Sequence, residues 1–294
     1  MAEFNINNGV VFTPKTVTQP LPIPDGAFLQ LKDRGGRLMY GQVGPSGVDY
    51  SFQSGLFANK VGYWTANGIT VATTTFGLGP MVITGTATAV ALSTTNLFTR
   101  TRRLKVLSGT PAGSLTGQRL TSLILTMGSG AILTGGGFYY VVRFGISDAA
   151  AVAGARMFVG LRNIATSPVN VEPSTLTNVI GVGHGAADTT LRIYYGGSAA
   201  QTPINLGALF PSNTRSTDLY ELALFNSPSS TNSVGYRVER LNTGDVAMGT
   251  LTGAAGVALP LNTALLSNND YRTNNATASA VGLDYVSIYY ETDY

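Results

Sequence analysis

Apolar and polar residues alternate along most of the second half of the chain. Phe138, Tyr140, Val142, Phe144 and Ile146 fall at every second position, the period of a strand with one face on a core. Val234, Tyr236 and Val238 repeat the pattern, with Arg237 and Glu239 assigned to the opposite face. Further strands are predicted over 157–161, 191–195 and 218–225 and in the closing run from Val281 to Tyr290. Turn signals such as Tyr195-Gly196-Gly197 and Asn242-Thr243-Gly244-Asp245 separate them. Two short helical pieces are expected: Asp148 to Gly154, capped by Ser147 or Asp148, and Pro173 to Asn178. No internal repeat of roughly 20–50 residues is visible, which argues against a solenoid. The pattern predicts an all-β chain whose residues 111–294 form an antiparallel two-sheet β-sandwich, jelly-roll-like in type.

The N-terminal part follows different rules. Residues 1–50 carry Pro14, Pro20, Pro22 and Pro24, which hold the backbone extended and deny it helix. Apolar runs at 27–32 and 38–40 flank Gly35-Gly36 and predict a short hairpin. A lone two-stranded hairpin is marginal in water. The segment is therefore expected to be an arm that docks on a larger particle, anchored through Pro14, Pro20, Pro22, Pro24 and Phe28. Residues 51–110 predict a small Gly/Thr-rich β region or linker, with a turn at Ala66-Asn67-Gly68-Ile69 and a strand over Thr84 to Val90. Trp64, beside Tyr63, is read as a packing residue in preference to a sugar-stacking platform.

Composition then narrows the function. Charged residues make up 11% of the 294, less than half the ~25% usual for soluble proteins. Sheet edges with few charges are poorly protected against pairing with other strands, so much of the surface is expected to be covered by other subunits. The net charge of +3 comes from 18 basic residues scattered along the sequence. The one cluster, Arg100, Arg102, Arg103 and Lys105, is read as a solvated linker or an inter-subunit ion pair, so no nucleic acid partner is expected. With no cysteine, disulfides and thiolate metal sites are excluded. Residues Met1 to Asn8 lack the basic start and apolar core of a signal peptide, so assembly in a cytoplasm is expected. The longest apolar run, Leu120 to Leu133, is broken at Gly128-Ser129-Gly130 and falls short of the ~20 residues a membrane span needs.

Reactive chemistry is scarce. The single histidine, His184, precedes Asp188 by four positions, but the glycines around it disfavour the helix that would make them joint metal ligands, and a solvated or interface histidine is expected. No Gly-x-Ser-x-Gly elbow is present. Asp218 and Glu221, the nearest carboxylate pair, face opposite sides of a predicted strand and so would not flank one glycosidic bond unless a bulge intervened. Gly135-Gly136-Gly137 precedes a strand and lacks the Gly-Lys-Ser/Thr of a phosphate loop. No enzyme, metal or cofactor is expected. Binding groups are sought instead in the loop Asn268-Asn269-Asp270 and its continuation, where Tyr271, Arg272, Asn274 and Asn275 offer a ring, a guanidinium and amides within one turn.

Several phrases resemble a known group. Arg143-Phe144-Gly145-Ile146-Ser147-Asp148, Val171 to Asn178, Ile193 to Ala200, Asp218-Leu219-Tyr220-Glu221-Leu222 and the segment Tyr271 to Thr292 resemble tailed-bacteriophage virion structural proteins of the tail-fibre type, over roughly residues 100–294. The resemblance brings no catalytic residues. It implies a homotrimer located in the virion, its N-terminal arm bound to tail, baseplate or capsid proteins and its β domain turned outward to host-surface polysaccharide. A capsid-bound fibre or decoration (cement) protein that stabilises the head remains the alternative.

Overall fold

The computed structural model describes residues 28–33, 36, 38–43, 49–51, 60–66, 75–76, 81–130 and 135–292. The prolines at 14, 20, 22 and 24 lie outside them, and Phe28 begins the first strand. In chain order the early strands are β1 (Phe28–Asp33), β2 (Leu38–Val43), β3 (Asp49–Ser51), β4 (Lys60–Thr65), β5 (Thr75–Phe76), β6 (Met81–Thr84), β7 (Thr86–Ala89), β8 (Leu104–Leu107) and β9 (Leu115–Leu120). The long strands β10 (Phe138–Ile146), β11 (Arg156–Arg162), β12 (Val179–His184) and β13 (Arg192–Gly196) follow, then β14 (Ile204–Asn205), β15 (Tyr220–Asn226), β16 (Ser233–Arg240) and β17 (Asp245–Thr252). The chain closes with β18 (Ser267–Asn268), β19 (Tyr271–Thr273) and β20 (Gly282–Thr292).

These strands form an antiparallel two-sheet sandwich, as the alternation predicts. One sheet runs β17-β16-β15-β10-β20-β4-β5, with β8 also paired to β20 and β7 to β8. The other runs β14-β13-β12-β11-β19-β9-β6, with β18 beside β11. Strands from residues 60–107 enter both sheets, so pairing crosses the boundary drawn at residue 110. A third, three-stranded sheet, β1-β2-β3, holds the N-terminal hairpin, and its turn glycine Gly36 lies against Gly235 and Phe225 on the outer side of the first sheet.

The predicted inward face of β10 is buried throughout: Phe138, Tyr140, Val142, Phe144 and Ile146 join Met157, Val159, Leu161, Ile180, Val182 and Ile193 of the facing sheet in one core. Trp64 lies in the same core, in keeping with its reading as a packing residue. Each such side chain, fully buried, stabilises the fold by roughly 1.5–3 kcal/mol.

The last strand occupies the centre of its sheet. β20 pairs with β10 along one edge and, along the other, with β8 through Gly282–Tyr285 and with β4 through Ser287–Thr292. The register with β10 shifts between Arg143 and Phe144, leaving Val286 as an extra residue. That bulge inverts the alternation, so Leu283 and Tyr285 before it and Ile288 and Tyr290 after it all point into the core. The freed Val286 carbonyl accepts the Ala66 N–H at 2.9 Å.

Four points depart from expectation. No helix forms over 148–154, because Ser147 and Asp148 bond Asp284 and Arg272 instead of capping a turn. The second expected helix shrinks to a 3-10 turn, Pro173–Thr175. A short helix, α1 (Leu97–Arg100), appears where none was expected, closed by a capping box between Asn96 and Thr99. Within the basic cluster beside it Arg100 and Arg102 are exposed, but Arg103 is buried, paired to Asp284 at 2.8 Å and stacked 4.3 Å over Phe98.

A chain ended after Val281 loses the strand that joins β10 to β4 and β8. Circular dichroism and urea unfolding should show it without a cooperative transition; a truncated chain that still unfolds in one sharp step would refute the central role of β20.

Candidate functional site: the outer face of the second sheet

Every second residue of β11 that faces away from the core is polar, aromatic or glycine: Arg156, Phe158, Gly160 and Arg162. On the neighbouring strands Gly181 and Gly183 sit beside them, and a Cβ at Gly181 would meet the Phe158 ring at 2.7 Å. Glycine is therefore what lets this ring lie flat on the sheet. Phe158, Tyr194, Tyr271, Leu176 and Val179 form a second apolar cluster here, covered by the 163–178 connection. The Tyr271 hydroxyl donates to the Val171 carbonyl at 3.0 Å, which ties that connection down.

Two shallow clefts flank the Pro173–Thr175 turn. The first, about 310 Å³, is lined by Arg162, Asn163, Thr175, Thr177 and Asn178 together with apolar residues such as Val169 and Val171. The second, about 230 Å³, is lined by Glu172, Ser174, Asp188, Arg192 and Tyr194. In the second, Glu172 pairs with Arg156 at 2.6 Å and Asp188 with Arg192 at 2.8 Å. Asp188 also accepts the Gly185 N–H at 2.8 Å and the Tyr194 hydroxyl at 2.9 Å, and Glu172 accepts the Ala186 N–H at 3.1 Å. Burial first, then this bond to Asp188, raises the Tyr194 phenol above its ordinary range, so it stays a donor. Gly185 packs directly against the Glu172 carboxylate, so a side chain there would displace it. Carboxylates held this way act as fixed hydrogen-bond acceptors.

The residues first chosen for binding lie elsewhere. Tyr271, Arg272 and Asn274 are fully buried, with only Asn275 partly accessible, because 271–273 is a strand between β11 and β9 and not a loop. Arg272 donates to both Asp148 carboxylate oxygens, to Asn213 at 3.0 Å and to His184 Nε2 at 2.8 Å. An arginine only donates, so Nε2 accepts and the proton rests on Nδ1, which donates to the Gly185 carbonyl at 3.1 Å. Burial, helped by the Arg272 charge, lowers His184 to about 3. The histidine is thus a neutral interior acceptor, contrary to the solvated or interface group expected. Asn274 donates to the Pro111 and Ser279 carbonyls at 2.9 and 2.8 Å. Asp218 and Glu221 belong to separate ion pairs, with Arg240 at 2.9 Å and with Arg143 at 2.7 Å.

Sequence inspection passed over Arg162, Glu172, Arg192 and Tyr194. Their convergence comes from cross-strand register and a long connection, which leave no local spacing signal. Among the described residues no group of three His, Cys, Asp or Glu is placed to hold a metal, and no helix is long and apolar enough to cross a membrane.

No family model and no curated protein matches the sequence. Solved structures with partly similar shape include a protein of unknown function from Shewanella oneidensis MR-1, at 12% identity over 82% of this chain and 90% of that one, TM-score 0.48. Lectin II from Ulex europaeus matches at 14% identity over 73% and 93%, TM-score 0.46. The CBM2 module of the evolved Dit of Lactobacillus casei BL23 phage J-1 matches at 13% identity over 80% and 98%, TM-score 0.43. At these scores the functional argument rests on the site itself.

Behind this face, between the sheets, Asp270 accepts the Gly160 N–H at 2.7 Å and an Asn268 amide N–H. Burial pushes this carboxyl up to about 7 from the ordinary 3.8. The folded chain therefore keeps a proton that the unfolded chain has released between about pH 4 and 7, and this group's contribution to stability is lost as pH rises through that window. Asp270→Asn should gain stability relative to the natural chain between pH 5 and pH 8 by urea unfolding. A difference that stays constant with pH would show that Asp270 titrates normally.

Proposed function

We propose that the chain is a bacteriophage virion structural protein, a trimeric tail fibre that attaches to glycan on the host surface. The observation that carries the binding part is the pair of shallow polar clefts beside the Pro173–Thr175 turn. Between them they present amides, hydroxyls, carboxylates and guanidinium groups, with the Tyr194 ring in the second, the donor and acceptor mix that meets sugar hydroxyls. Binding is favoured over hydrolysis because Glu172 and Asp188 are each held by an arginine and a backbone N–H, an arrangement that supports a fixed acceptor more readily than a proton donor. We place the virion role on the resemblance of residues 100–294 to tail-fibre-type proteins, and residues 1–50 are the arm assigned to other virion proteins.

Self-association has its own support. β17 ends its sheet, exposes Val246 and Met248, at 43% and 54%, and carries a single charge, Asp245, at its start. An apolar edge with so little charge invites a second copy. In a trimer repeated around a particle, contacts of millimolar strength become firm attachment through effective concentration.

Three measurements test this. Immunogold against the β domain should mark the tail or baseplate of intact virions; gold over the head would favour the capsid fibre or decoration protein, and unlabelled virions would refute both. Removal of residues 1–50 should abolish incorporation while leaving a folded domain. An unfolded product would contradict the anchor assignment. In solution, Met248→Lys should move the chain from trimer toward monomer by light scattering, and an unchanged mass would exclude the β17 edge from the contact.

A further inference from the structure

Arg162 is the last residue of β11 and is 5% exposed, yet among the described residues it holds no carboxylate. Its one hydrogen bond, at 3.1 Å, goes from Nη1 to the neutral amide oxygen of Asn269, and its Nε–H has no acceptor. The two other arginines at the clefts differ: Arg156 holds Glu172 and Arg192 holds Asp188. Arg162 lies over the Tyr271 ring, 5.8 Å from its centroid. Burial pulls its proton affinity down from the ordinary value, with only partial offset from Tyr271 and Asp270. Asp270 cannot serve as a partner, since its carboxyl is turned to Gly160 N–H and Asn268.

A buried cation without an anion is costly, and an incoming carboxylate relieves that cost. The place for it exists: Arg162 lines the cleft of about 310 Å³, whose lining contains no acidic residue among the described residues. That volume is at the lower end of the roughly 300–1,000 Å³ of small-molecule sites. Asn163, Thr175, Thr177 and Asn178 surround it with amide and hydroxyl groups, suited to ring hydroxyls. Arg119, whose guanidinium donates to the Ala165 carbonyl at 2.7 Å, adds a second unneutralised charge on the same connection.

We propose that the cleft at Arg162 takes the carboxylate of a uronic-acid residue, so that the glycan bound is an acidic polysaccharide. The planar guanidinium matches a carboxylate edge to edge, and the amides and hydroxyls around it hold the sugar ring. This inference rests on the glycan-binding function proposed above.

Binding of the full chain to oligogalacturonate and to a neutral maltooligosaccharide tests it, with glucuronate, glucose and inorganic phosphate as competitors. The acidic oligomer should bind at least about tenfold more tightly than the neutral one, with glucuronate the effective competitor, and Arg162→Gln should remove that preference. Arg162→Lys should restore it only in part. Thr177→Ala, at an exposed rim position, should weaken acidic binding in a chain whose buried residues are untouched, which keeps the test open if Arg162→Gln does not fold. Equal binding of both oligomers, unchanged by Thr177→Ala and Arg162→Gln, would overturn the uronate site and leave glycan attachment standing. Competition by phosphate but not glucuronate would also overturn it. Failure of both oligomers to bind would overturn both readings.

Discussion

The sandwich depends on β20, the last strand of the chain and the middle strand of its sheet. Until residues 282–292 are in place, β10 and the strands β4 and β8 have no common partner. Sheet formation is thus non-local, and loop closure must precede most of the pairing that rewards it. The bulge at Val286 lets one strand serve two partners on one edge. It marks the point where β8 gives way to β4, and it turns the alternation over so that both halves of β20 keep apolar side chains inward.

Charge is distributed in an unusual way for so uncharged a chain. Arg103, Asp148, Arg162, Asp218, Glu221, Arg237, Asp270, Arg272 and Asp284 are all buried. Arg272 with Asp148, and Arg103 with Asp284, join segments more than 100 positions apart in the chain. Burial pushes Asp284 up to about 6 despite Arg103 beside it, so desolvation outweighs the ion pair there. Such pairs seldom add net stability over an apolar packing, but removing one partner strands the other. Their effect is to fix which segments meet. The outer surface, left with still fewer charges than composition suggests, is suited to contact with other chains.

Against that background Arg162 stands apart. The remaining buried guanidiniums, Arg103, Arg237 and Arg272, each reach a carboxylate within the chain, whereas Arg162 ends at an amide beside an open cleft. The face that carries it is built from small and flat residues, with Phe158 over Gly181 and the 163–178 connection laid across the ring cluster. The proposed binding face and the scaffold are one construction: the same register that packs Met157, Val159 and Leu161 inward presents Arg156, Phe158 and Arg162 on the other face.

The sequence by itself determined the strands and their inward faces, because a period of two is a local property and burial follows from it. Phe138 to Ile146 on β10 and Val234 to Val238 on β16 were legible for that reason, and so was the packing role of Trp64. What only the tertiary structure decided was the fate of the polar residues. Tyr271, Arg272 and Asn274 have the composition of a binding loop, yet they are interior, since their partners Asp148, His184 and Pro111 lie 88 to 163 positions away in the chain. The alanine-rich stretch after Asp148 has helical propensity, but the capping side chains were claimed by long-range bonds. The clefts beside Pro173–Thr175 were invisible for the same reason: hydrogen bonds and ion pairs act over a few ångströms in space, and nothing in local spacing reports which distant segments the sheet register will bring together.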